Sequence, residues 1–380
     1  MKKSLIALAV TGAVSVPAFA QNSVTLYGII DVGITYVNNT GGHSQWQEQS
    51  GILQGSRWGL KGVEDLGGGT KAIFQLENGF NVANGKLGQG SREFGRQAYV
   101  GLTNDSYGTL TLGRQYDPVV DNAQPTTFNG QWGALFSHPA DIDNTDNGFR
   151  INNAVKYVSP RFYGLQAEGM YAFGGQAGQF SNDSTVGAGL NYTNGGLYVG
   201  AGYFFAKNPQ AQFNDGNFAS ANQNPNTVTA SSGIWGLVGI PANMQSVSAG
   251  ASYVLGPVQF GGNFSNVRFE DANGVAGNTV WFNSFELWGN YHLTPATTLG
   301  AGYTFTDGKV DATGKKPKYG QLNAIADYAL SKRTDVYVMG IYQHAMSGGV
   351  TADIYGPLFG GGASTTPNQV AARVGIRHKF

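Results

Sequence analysis

Along most of this chain, apolar side chains recur at every second residue, the signature of half-buried β-strands. From Val24 to Tyr36, the residues Val24, Leu26, Ile30, Val32, Ile34 and Tyr36 share one face, and Thr25, Tyr27, Asp31 and Thr35 the other. Leu197, Val199, Ala201, Tyr203 and Phe205 form an unbroken apolar row. Trp281, Phe285, Leu287, Tyr291 and Leu293 oppose Ser284, Glu286, Asn290 and His292. The closing segment sets Val370, Ala372, Val374, Ile376 and Phe380 against Arg373, Arg377 and Lys379. The pattern predicts sixteen strands, near 24–37, 52–63, 70–79, 94–103, 109–115, 150–158, 164–174, 184–193, 197–207, 245–255, 258–269, 280–293, 297–306, 318–330, 334–345 and 369–380. An even number of strands about ten residues long suits an antiparallel transmembrane β-barrel. The connections alternate in length. Those at 64–69, 104–108, 159–163, 194–196, 256–257, 294–296 and 331–333 are short, whereas 38–51, 80–93, 208–244, 308–317 and 346–368 are long. Such barrels have short turns at one rim and long loops at the other. One stretch fits less well: SSGIWGLVGIPANM (231–244) is apolar inside a long connection, either a loop core or a misplaced strand.

Between Arg114 and Arg150 the period disappears. Residues 116–149 carry three prolines, many Asn and Asp, and the apolar side chains Phe128, Trp132, Leu135 and Phe136. A connection of roughly 35 residues exceeds ordinary loop lengths and signals function or disorder. The aromatic residues argue against a solvated linker. The expectation is a loop folded back into the barrel lumen, narrowing its bore.

Composition strengthens the barrel reading. Charged residues make up 12% of the chain, against about 25% in typical domains. Glycine is abundant, at 58 of 380 residues, and cysteine is absent, so no disulfide holds the fold. The start, MKKSLIALAVTGAVSVPAFA, has a basic end, a short apolar core and a small-residue cleavage site, so 1–20 read as a signal peptide and 21–380 as the mature barrel. A secreted all-β sandwich would also alternate; the export signal without disulfides and the alternating loop lengths decide for the membrane barrel. No polybasic run points to nucleic acid. Gly187-Ala188-Gly189 and Gly300-Ala301-Gly302 sit inside strands and read as tight strand packing, not nucleotide binding. Asp141–Asp146 lacks the glycine and glutamate of a calcium loop. The five histidines show no metal-ligand spacing, and no nucleophile motif is present. Neither cofactor, metal nor catalytic residue is expected.

Several segments carry a resemblance in combination. VTLYGIIDVGITY, SRWGLKGVEDLGGGTKAIFQLENGF, RQAYVGL, LTLGRQYD and the terminal VGIRHKF resemble the general diffusion porins of Gram-negative bacteria, most of all the β-proteobacterial branch. The resemblance implies an outer-membrane homotrimer of sixteen-stranded barrels, with the third long loop inside each lumen. It also implies passive diffusion of ions and small hydrophilic solutes, and recognition of Phe380 by the barrel-assembly machinery. By motif, Arg57, Arg96 and Arg150 match three wall arginines of that family. Strand parity independently groups Arg57 with Lys61, and Arg150 with Asn152 and Lys156, on bore-facing rows. A cation facing lipid at mid-depth costs about 2–4 kcal/mol. Arg96 shares parity with Ala98, Val100 and Leu102, so its place rests on the resemblance alone. Arg114 shares the apolar face of Leu110 and Leu112, which suggests a contact with a neighbouring subunit. The family often has an acid near a Pro-x-Phe-Gly segment of this loop, but Pro125-Thr126-Thr127-Phe128-Asn129-Gly130 has none. Asp117 and Asp121 remain as constriction candidates, with Asp141, Asp143 and Asp146 further along. Basic rings favour anions, so a weak anion preference is expected; a substrate-specific anion or carboxylate channel on the same barrel is the alternative.

Overall fold

The computed structural model describes residues 22–213, 233–355 and 362–380. The signal peptide expected at 1–20 lies outside them. The strands are β1 (Ser23–Thr40), β2 (His43–Ser50), β3 (Arg57–Gly67), β4 (Thr70–Gly79), β5 (Gln97–Asn104), β6 (Gly108–Gln115), β7 (Ile151–Val158), β8 (Leu165–Ala172) and β9 (Thr185–Asn194). They continue as β10 (Leu197–Lys207), β11 (Asn243–Leu255), β12 (Val258–Glu270), β13 (Val280–His292), β14 (Thr297–Val310), β15 (Lys318–Ala329), β16 (Thr334–Ser347) and β17 (Asn368–Lys379). Every neighbouring pair is antiparallel, and β17 returns to β1 from Ile29↔Lys379 to Val37↔Ala371. Gly28 and Phe380 exchange two backbone hydrogen bonds of 3.0 Å at the seam. The result is a closed barrel, which leaves no strand edge unpaired in the membrane.

The seventeen segments occupy sixteen barrel positions. β2 pairs with the upper half of β1 and β3 with its lower half, so together they form one stave interrupted at 51–56. This corrects the expected strand at 52–63 and the expected loop at 38–51. Residues 43–50 are paired strand, and 51–56 leave the wall and fold inward. Ile52 and Leu53 are buried, and the Asp31 carboxylate accepts the N–H groups of Leu53 at 2.6 Å and Gln54 at 3.0 Å.

The two faces of the wall differ as the alternation requires. The apolar row is open: Leu26 is 59% exposed, Leu112 51%, Leu287 73% and Val374 58%. The opposite row is polar and largely covered, with Ser246, Ser265, Ser284, Glu286, Thr304 and Gln321 buried. An exposed greasy exterior around a covered polar interior inverts a water-soluble core and matches a lipid-facing barrel. No helix among the described residues is long and apolar enough to cross a membrane.

The aperiodic segment 116–149 lies against the polar row. It is built of single helical turns at Val119–Ala123, Gln124–Thr126, Phe128–Trp132, Ala134–Phe136 and Pro139–Asp141. Polar wall side chains satisfy its backbone. Asn263 Nδ2 donates to Thr126 Oγ1 at 2.8 Å, Trp288 Nε1 to the Thr126 carbonyl at 2.7 Å, and Gln321 Nε2 to the Ser137 carbonyl at 3.1 Å. Phe128 N–H donates to Glu286 Oε1 at 2.8 Å, and Trp132 Nε1 to Asn290 Oδ1 at 2.7 Å. Phe128, Leu135 and Phe136 close a small apolar core with Ile52, Leu53 and Trp288.

Glycines open the wall for this segment. A Cβ on Gly200 or Gly202 would overlap the backbone of Asn122 or Pro118. On Gly187 it would lie 2.9 Å from Pro118, on Gly300 3.0 Å from the Trp132 indole, and on Gly302 3.2 Å from Phe128. The Gly-Ala-Gly pairs therefore serve close approach of the loop, not strand-to-strand packing. The apolar stretch after 231 is also explained. Ile234–Val238 is a helical turn whose Ile234, Trp235 and Val238 pack with Phe149, Phe204, Phe269 and Phe282, and Trp235 Nε1 donates to the Ala140 carbonyl at 2.9 Å. It is a loop core, seated on the 116–149 segment.

Candidate functional site

The loop, the inward fold at 51–56 and the facing wall enclose a cavity of about 910 Å³. Its charged lining is one-sided: Arg57, Arg96, Arg150, Arg377 and Lys379, with Asp146 the acidic member. Each basic group reaches it by a different local device. Arg57 opens β3 directly after the inward fold, and its Nε donates to the Gly55 carbonyl at 3.0 Å. Arg96 precedes β5, so the parity that placed it on the apolar row does not apply. Arg150 precedes β7, at the end of the loop. Arg377 and Lys379 lie on the polar row of β17, facing inward near the seam. Arg377 is paired to Asp335, with Nη2 2.8 Å from Oδ2.

Glu77, on the polar row of β4, organises the cluster. Its Oε1 takes Arg96 Nε at 2.7 Å and lies 3.8 Å from Arg57 Nη1, while Oε2 accepts the Tyr27 hydroxyl at 2.9 Å. Tyr116 joins it: its hydroxyl accepts from Arg96 Nη2 at 2.8 Å and donates to Glu77 Oε1 at 3.1 Å. One carboxylate thus serves two guanidiniums, and the positive surplus remains. Sequence reading missed Glu77 and Tyr116. The Gln75/Glu77 alternation against Phe74 and Leu76 carried a signal for the first. Nothing local marked Tyr116.

The other expected site residues lie elsewhere. Lys61 shares the inward row of β3 but sits nearer the short-turn rim, exposed, with Nζ 5.5 Å from the Tyr27 ring centre and outside the cavity lining. Asp117 is corrected as a constriction residue. It is fully buried and accepts Val119 N–H at 2.8 Å, Val120 N–H at 3.2 Å and Asn144 Nδ2 at 2.7 Å, which makes it the anchor of the first loop turn. Burial pushes its carboxyl up to about 6 despite those donors. Asp121 pairs with Lys156, which also lies 3.6 Å from Glu168. That pair stands outside the arginine cluster. Of the later acids, Asp141 and Asp143 turn into the loop, and Asp146 alone reaches the cavity.

Two parity arguments also change. Asn153 has φ of +53°, a break near the start of β7 that lets Ile151 turn into the core instead of the apolar exterior. Arg114 stands opposite Ala98, on the row of Val100 and Leu102, but its own chain satisfies it: Nε donates to the Gly95 carbonyl at 2.8 Å and Nη1 to Asn152 Oδ1 at 2.6 Å. It needs no neighbouring subunit, so the subunit contact read from Arg114 loses its ground. Phe380 lies at the barrel seam, where a Cβ on Gly28 would overlap its ring.

Comparison with known proteins gives a uniform result. A family model described as Gram-negative porin matches residues 5–348. An outer membrane porin protein of Bordetella pertussis is 32% identical over 420 residues, covering 100% of both chains. Outer membrane porin protein 32 of Delftia acidovorans is 30% identical over 392 residues, again covering 100% of both. Among solved structures, the anion-selective porin from Comamonas acidovorans superposes with a TM-score of 0.72 at 25% identity, over 95% of this chain and 100% of that one. OmpT of Vibrio cholerae, at 14% identity and a TM-score of 0.65 over 94% of this chain and 98% of that one, shares the fold. The closed barrel, its exposed apolar exterior and these matches agree: this chain belongs to the Gram-negative porin family and is a barrel of the bacterial outer membrane.

Proposed function

We propose that the chain forms a water-filled general diffusion channel with a preference for anions, in which the 116–149 loop sets the bore. The observation that carries this reading is the surplus of basic side chains over Asp146 at the cavity. Rings of fixed positive charge raise the local concentration of anions and exclude cations. A structural neighbour described as an anion-selective porin adds support. No catalytic role is proposed. Reversal potentials across a planar bilayer in a KCl gradient test the selectivity. The native channel is expected to favour chloride, and Arg57→Gln and Arg150→Gln each to weaken that preference by about two-fold or more. A native preference for potassium overturns the reading. Conductance that rises linearly with salt and does not saturate with any one solute is expected of general diffusion; saturation by a carboxylate would favour the substrate-specific channel.

The working unit we infer is a homotrimer. Supporting this is the outer face of β1 and β2, where Glu48 stands opposite Ile34, level with Val374. Glu48 is exposed on a row otherwise meant for hydrocarbon. A carboxylate there is better covered by a second subunit than by lipid. Phe380, hydrogen-bonded to Gly28 at the barrel seam, is the residue we assign to recognition by the assembly machinery.

A further inference from the structure

We propose that Tyr116 is a positioning residue that holds Arg96 and Arg150 at the cavity and thereby helps set ion selectivity; this rests on the anion-path reading above. Tyr116 is the first residue past β6, where the chain leaves the wall. Its carbonyl accepts Lys156 Nζ at 2.9 Å, which fixes the point from which the ring projects. The ring then receives two guanidiniums, with the Arg96 Cζ 5.8 Å and the Arg150 Cζ 5.7 Å from its centre. Both fall within the reach of a cation–π contact, about 6 Å. The hydroxyl is used as well, bridging Arg96 Nη2 and Glu77 Oε1.

Two like charges repel, and long arginine side chains lose rotamer freedom when held in place. A neutral ring attractive to both resolves the conflict without adding a carboxylate that would cancel their field. Tyr116 therefore supplies what a second acid near the arginines would otherwise supply, and leaves the net charge of the passage unchanged. A ring that only fills space would alter the width of the bore and not its preference. A ring that positions charge would alter the preference at constant charge.

The experiment compares native channels with Tyr116→Leu, Tyr116→Trp, Tyr116→Phe, Arg96→Gln and Arg150→Gln, reading reversal potential and single-channel conductance on each. Tyr116→Leu is expected to lower the anion-to-cation permeability ratio by about two- to five-fold, in the direction of Arg150→Gln. Tyr116→Trp, which keeps an aromatic face, is expected to stay near the native ratio, and Tyr116→Phe to fall between. A Tyr116→Leu channel with changed conductance and an unchanged ratio overturns the proposal and leaves the anion-path reading standing. Unchanged ratios in both arginine variants overturn that reading, and this proposal with it. Should Tyr116→Leu fail to assemble, Tyr116→Met, which keeps bulk without a ring, decides: a lowered ratio supports the positioning role and an unchanged one refutes it.

Discussion

At the scale of single residues, the loop is fastened by one buried imidazole. His138 Nδ1 lies 2.6 Å from Asp143 Oδ2 and Nε2 lies 3.1 Å from Glu286 Oε2, with all three side chains shielded from water. Ser265 and Thr145 complete the hydrogen bonding of Asp143. Burial by itself would depress His138, but the carboxylates of Asp143 and Glu286 outweigh it and hold the imidazole at about 10. Burial likewise works against the Asp143 anion, yet His138 and the hydroxyl donors hold it at about 2. Because His138 is raised from 6.5, its stabilisation is full below pH 6.5 and is lost as pH climbs through about 10. Because Asp143 is depressed from 3.8, its contribution is present above that value and fades as pH falls through about 2. The loop is thus anchored most firmly between those limits. His138→Gln would leave two buried carboxylates without their cation, and breaking such a pair costs roughly 3–5 kcal/mol. The expected result is a lower melting temperature and a noisier open-channel current, while strand content by circular dichroism stays native. The sequence showed none of this: His138 and Glu286 lie 148 positions apart, and the histidine spacing suggested no partner.

At the scale of elements, legibility followed whether the signal was local. Strands with a full apolar row, such as β10, β11 and β13, were readable from alternation. β2 was not, because HSQWQEQS has one large apolar residue, Trp46, packed at a tilt against Tyr36 with ring centres 4.8 Å apart. Its pairing is dictated by β1, not by its own pattern. The inward fold at 51–56 was hidden for a related reason: Ile52 and Leu53 look like strand residues and are in fact a shelf for the loop, whose Ala134 N–H donates to the Ile52 carbonyl at 2.8 Å. The glycines follow the same logic. Gly187, Gly200 and Gly302 are needed because of a segment remote in sequence, while Gly169 and Gly340 have open space where a Cβ would stand. Overpacking a close contact typically costs about 1–3 kcal/mol. Gly200→Val should therefore push the loop off the wall and into the passage, lowering single-channel conductance and melting temperature. Gly169→Val should leave both unchanged. Equal behaviour of the two variants in that pair of measurements would refute the bed-of-glycines account.

At the scale of the whole molecule, charge is segregated and not merely balanced. The full chain carries 23 basic and 23 acidic residues, so net charge gives no hint of selectivity. The barrel turns that even total into a basic passage by gathering Arg57, Arg96, Arg150, Arg377 and Lys379 in one place and sending Asp117, Asp141 and Asp143 into the packing of the loop. The resemblance to porins located three of those arginines. The two on β17 were visible as a polar row, but only barrel closure brings that last strand beside the first. The remaining acid, Asp146, makes the balance sensitive to pH. Burial raises its carboxyl, so it takes up a proton at higher pH than a free aspartate would. As pH falls from 8 to 5 the passage loses a negative charge. Anion preference should therefore grow on acidification. Asp146→Asn should raise the preference at pH 8 to near the acidic native value and lose most of the pH response. A reversal potential that moves toward cation preference on acidification, or an Asp146→Asn channel with the full native pH response, would exclude Asp146 as the counter-charge of the passage.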